Sequence, residues 1–179
     1  MLGIWLLRHH GLMPAGEWIR VLERADASSE PRAPEAVLLN YPVSLGAAQS
    51  ERSQDLLREF QLMAAAGAHE GASSALARLE LLAEELMAKY GPDLAEPPAE
   101  LRRAIRAREA TTVLRYPLFP ITRSIILDYA RMMEGIDASC RDAAMMTLQP
   151  SPQLYALRRW TVEEFVRQYD GRDPRPWPR

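Results

Sequence analysis

Two short runs of β-prone residues stand out from a background of helical spacing. VLLNYPV at 37–43 and TVLRYPL at 112–118 are rich in branched and aromatic residues and too short for a stable helix. Both end in Tyr-Pro and lead into a longer apolar-periodic stretch. The likeness reflects either an internal duplication or two strand-to-helix corners built alike, and the poor match of the stretches that follow favours the corners. Pro42 bars a central ladder position late in the first strand. A third apolar run, Ala143 to Leu148, reads as a further strand.

Helical spacing accounts for most of the remainder. Trp18, Val21, Leu22 and Ala25 mark a short amphipathic helix over 16–26. A helix follows the first strand to about Ala66, with Leu56, Phe60 and Met63 as its apolar stripe. Another spans about Ser73 to Tyr90 through Leu76, Leu79, Ala83 and Leu86, and Gly91-Pro92 stops it. Pro97-Pro98 opens a short arginine-rich helix. After Pro120 the apolar positions Ile121, Ile125, Tyr129, Met132, Ile136 and Cys140 step by three and four, widened by Ile126 and Met133. Ser151 with Pro152 behind it starts a last helix. Leu154, Leu157, Thr161, Phe165 and Tyr169 are expected to face inward, with Glu163 and Arg167 paired outside and Gly171 ending the helix.

The expected fold is α+β and helix-dominated, with about three short strands in one small sheet covered by helices; an all-α bundle is the alternative. The Pro-, Ser- and charge-rich stretch at 28–36 is the best candidate boundary. It separates an N-terminal arm with a short helix (1–30) from a single domain (31–171), followed by a proline-rich tail (172–179). The apolar run from Met1 to Leu7 is far short of the ~20 residues a spanning helix needs, and its charges follow the run rather than precede it, unlike a signal peptide. It reads as a docking arm or as an extension upstream of the true start. No membrane segment is expected elsewhere.

Composition narrows the chemistry. The 179 residues are 47% hydrophobic and 26% charged, an ordinary globular balance, and the net charge of −2 gives no global pull toward nucleic acid. One cysteine, Cys140, excludes an intrachain disulfide and fits a reducing, cytoplasmic setting. Neither a phosphate-binding loop nor a dinucleotide fingerprint is present. His9, His10 and His69 are the only histidines, so a zinc site or a Ser-His-Asp triad lacks material. No catalytic, cofactor or metal residues are expected.

Surface candidates remain. Arg102, Arg103, Arg106 and Arg108 crowd about two turns, a surface for an acidic partner or simply a solvated face. Arg158, Arg159 and Trp160 combine residue types enriched at binding hot spots, although Trp160 falls at the edge of the inward stripe and reads equally as core. Trp177, set among prolines, either folds back on the body or waits for a groove. Tyr129, Met132, Met133, Met145 and Met146 are candidates to line an apolar ligand pocket between sheet and helices, the alternative being that methionines fill core gaps.

The stretches LRRWTVEEFVRQYDGRDPRPWP and LLNYPVSLGAAQSERSQDLLREFQLMA resemble a family of uncharacterised actinobacterial proteins found near anti-sigma-factor kinases and their antagonists. The resemblance covers about residues 37–178. It implies a partner-switching or signalling context and supplies no catalytic residues. The chain lacks the Asn-bearing helix and glycine-rich lid of the ATP-binding kinases themselves. The expected function is a non-catalytic regulatory or interaction domain whose partner is a protein such as a signalling kinase or antagonist, with a homodimer through an apolar helix face as one form of it. Small-molecule sensing is the alternative, and an enzyme of unknown reaction the third.

Overall fold

The computed structural model describes residues 19–20, 34–65, 95–141, 146–147 and 149–178. Two strands, β1 (Glu35–Pro42) and β2 (Thr111–Pro117), pair antiparallel. Among the described residues, four helices with full bounds surround them: α1 (Val43–Ala65), α2 (Glu96–Ala107), α3 (Thr122–Arg141) and α4 (Pro152–Tyr169). The fold is α+β and helix-dominated, as the periodicity indicates. The helix expected at 73–90 lies outside the described residues.

Alternation explains the sheet. Ala36, Leu38, Tyr41, Thr112, Leu114 and Leu118 are buried on one face, while Glu35, Val113 and Arg115 are exposed on the other. The register shifts by one residue between Leu38 and Tyr41, so Leu39 and Asn40 together face Val113. Asn40 sits at φ 54 to make this bulge, a left-handed conformation that asparagine tolerates better than most residues. The bulge keeps Tyr41 on the buried face. Antiparallel pairing sets the two Tyr-Pro corners at opposite ends of the sheet. From there Tyr41 meets Trp160 (centroids 6.4 Å apart) and Tyr116 packs edge-on against Phe165 (5.1 Å). Burial pushes the Tyr116 hydroxyl up to about 12, so it stays a neutral core group.

β1 passes directly into α1, with Val43 N–H bonded to the Ala110 carbonyl (3.1 Å). Gly46 permits this close start, because a Cβ there would stand 2.5 Å from the Tyr41 ring. Pro97-Pro98 sits at the first turn of α2, and a left-handed Arg108 ends that helix (φ 56). Ser151 caps α4 through its hydroxyl, which accepts from Leu154 N–H at 3.2 Å.

α4 is the central element. Leu157, Trp160, Phe165 and Tyr169 join Ala36, Leu38, Tyr41, Leu114 and Leu118 in one cluster, while Val162 and Val166 meet Leu127 and Ala130 of α3 on another side. Ile19 is buried in that second cluster, so part of the proposed arm belongs to the core. Glu35 and Ala36, placed in the linker by composition, belong to β1.

Two expectations are corrected, and a third falls largely outside the described residues. The buried side of α3 keeps Met133, Ile136 and Cys140 of the expected stripe but also takes in Arg123, Leu127, Ala130 and Asp137, and Ile121, just before the helix, is exposed. The third strand is not seen where the chain is described: Met146 and Thr147 form a bend, and residues 142–145 and 148 lie outside the described residues. Glu163 pairs with Arg159 (3.5 Å) and Arg175 (3.7 Å) rather than Arg167, which donates to the Asp173 carbonyl (2.6 Å).

Candidate functional site

The interior of the helical half is ionic. Asp137 of α3 receives Arg52 of α1 on Oδ1 (3.3 Å) and Arg158 of α4 on Oδ2, and all three side chains are almost wholly buried. The Arg158 guanidinium lies 5.4 Å from the Tyr155 ring centre, and Tyr155 donates its hydroxyl to Glu134 (2.8 Å). Arg52 Nη2 also stands 3.9 Å from Cys140 Sγ. Two cations on one carboxylate tie three helices together, and removal of either kind of charge strands the other in a dry interior.

Arg52 also floors an open groove of about 550 Å³ between α1 and the chain entering α4. Glu51, Asp55, Arg58 and Glu59 give it charged walls, and Leu62 and Met146 border it. Glu59 holds the far wall by accepting from the main-chain N–H of Met146 and of Thr147 (2.7 Å). Burial raises the Glu59 carboxyl, but the bonds from Thr147 and Met146 outweigh it and hold the group below the ordinary glutamate range.

The sheet edges differ in kind. On the outer edge of β1, the Gln168 side-chain amide imitates a neighbouring strand: Val37 N–H donates to its Oε1 (2.7 Å) and its Nε2 donates to the Val37 carbonyl (3.0 Å). The tail then continues the cover. Trp177 N–H bonds the Leu39 carbonyl (2.9 Å), and its ring packs edge-on against Trp160 at 5.3 Å. Arg175 gives its main-chain N–H (2.9 Å) and its Nε (2.8 Å) to Glu164, which is 0% exposed. Prolines at 174, 176 and 178 leave Arg175 and Trp177 as the only N–H donors in that stretch, and both point inward. Nothing on the outside of the tail can continue a ladder by donation.

Among the described residues β2 has no such cover. Its even-numbered residues bond toward β1, so Val113 and Arg115 direct their main-chain N–H and C=O outward, where no partner meets them among the described residues. Val113 is 39% exposed, and Arg115 is held beside Glu35 of the neighbouring strand (3.6 Å).

The sequence-level candidates distribute unevenly. Arg158 and Trp160 are interior, Arg158 through Asp137 and Trp160 through the aromatic cluster, which takes them off the surface. Arg159 is half-buried beside Glu163. Trp177 has folded back, and the tail with it belongs to the domain. Arg102, Arg103 and Arg106 are exposed on α2, but Arg103 is clamped by Glu100 (2.5 Å) and Glu109 (2.9 Å), while Arg102 and Arg106 meet no carboxylate among the described residues. The Arg103 and Thr112 side chains pull the half-buried Glu100 carboxyl down to about 2. The methionine pocket does not assemble. Met133 fills core with Leu56, Ile136 and Cys140, Tyr129 and Met132 pack against that cluster, Met146 is 90% exposed, and Met145 lies outside the described residues. Glu59, Asp137, Glu164 and Gln168 were not anticipated. Their only sequence signal is a polar residue on a face otherwise apolar.

All three histidines lie outside the described residues. Among the described residues no group of His, Cys, Asp and Glu is arranged to hold a metal, and no helix is long and apolar enough to cross a membrane. Comparison with protein-family models, curated proteins and solved structures finds no match to this chain.

Proposed function

We propose that this chain is a non-catalytic regulatory domain acting through protein contacts, and that it recognises partners at the outer edge of β2. One observation carries the reading. In a two-stranded sheet both edges are exposed to pairing by foreign strands; here one is closed by Gln168 and the proline-spaced tail, while on the other no described residue pairs with the main chain of Val113 and Arg115. Strand addition at such an edge gives affinity through main-chain bonds and selectivity through the flanking side chains. The setting we propose is the bacterial cytoplasm and a signalling system, the context the sequence resemblance implies, with a kinase or antagonist as the class of partner.

The test is Val113→Pro. Proline there removes an outward N–H that no described residue uses, so the fold is retained, while strand addition is blocked. Circular dichroism and thermal unfolding establish that the variant is folded. Loss of protein association, to itself or to any other chain, in Val113→Pro but not in Val113→Ala is the expected result. Equal association by both variants, or none by the unmodified protein, defeats the reading.

A further inference from the structure

We infer that the occupant of the β2 edge is β2 of a second copy of this chain, paired antiparallel about Leu114; this rests on the interaction reading above. Thr111–Pro117 has Leu114 at its midpoint, so a twofold axis there overlaps the whole strand. In that register Val113 faces Arg115 of the copy, and the reverse. Both residues direct N–H and C=O outward, so each pair exchanges two bonds and the four outward groups of Val113 and Arg115 on each chain are satisfied. Pro117, which has no N–H, falls at the end of the pairing opposite Thr111 of the copy, where its carbonyl accepts and its missing donor matters least.

Charge agrees with the register. A pairing centred on Arg115 would set two guanidiniums face to face. Centred on Leu114, Arg115 lies opposite Val113 of the copy while its own Glu35 remains 3.6 Å away. The exposed Val113 side chain is covered in the process. The result is a sheet in the order β1–β2–β2–β1, ending on each side at an edge already closed by Gln168 and Trp177. Assembly therefore stops at two copies.

Sedimentation of the full chain from micromolar to millimolar concentration, with amide exchange at Val113 and Arg115, tests this. A concentration-dependent dimer is expected, in which those two amides slow as the dimer fraction rises and which Val113→Pro abolishes. Val113→Glu, set against Arg115 of the copy at two symmetric places, dimerises about tenfold more tightly than Val113→Gln, and Val113→Arg about tenfold less tightly. Equal weakening by Glu and Arg overturns the register and with it the inference. A monomer whose Val113 and Arg115 amides exchange freely overturns the second copy while leaving the edge open to a different protein. A monomer in which they exchange slowly shows the edge covered within the chain, and then the proposed function falls as well.

Discussion

Asp137 is where a single side chain carries the most consequence. Arg52 and Arg158 reach it from different helices, and all three are nearly dry. Asp137→Ala leaves two buried guanidiniums without this partner, and a loss of about 3–5 kcal/mol in urea unfolding is expected. Two glutamates set opposite pH slopes. Glu59 is held below its ordinary value, so its contribution is present above about pH 4 and is lost as pH falls through the folded-state value. Glu163 is raised by burial, with Arg159 and Arg175 opposing and Glu164 adding. The folded state therefore binds its proton more tightly, and its contribution declines as pH rises from about 4 toward the raised value. Glu59→Gln is expected to flatten the acid limb of a stability–pH profile and Glu163→Gln to flatten the decline above it, both read from denaturant midpoints.

At the level of elements, β1 depends on its bulge. Asn40→Gly is expected to leave thermal stability nearly unchanged, whereas Asn40→Val, with a branched side chain at φ 54, costs about 1–2 kcal/mol. Both strands and the starts of α2 and α4 were legible because their signals are local: β-branched and aromatic runs ending in Tyr-Pro, Pro97-Pro98, and Ser151-Pro152. The facing of α3 was legible only in part. Periodicity counts apolar residues, so it marked Met133, Ile136 and Cys140, which are buried, and missed Arg123 and Asp137, which α3 buries as well. What makes Asp137 an interior residue is Arg52 and Arg158, which lie 85 and 21 residues away. The same applies to the candidate site. The alternating prolines from 174 to 178 are visible in the chain, but the inward direction of the Arg175 and Trp177 amides depends on where Glu164 and Leu39 come to lie. An open β2 edge is likewise a fact about neighbours, which spacing does not contain.

For the molecule as a whole, the tail decides what the sheet is allowed to touch. A variant ending at Gly171 loses Arg175 from the fully buried Glu164 and Trp177 from Leu39. It is expected to melt lower and, by exposing part of the β1 edge, to form species larger than dimers in light scattering. Gln168 and the tail also lie far along the chain from the edge they close: Val37 is separated from Gln168 by 131 positions. During translation β1 therefore emerges from the ribosome long before its cover exists, and any product that terminates early carries a naked strand. Closure of the β1 edge therefore has to wait until the last residues of the tail are made.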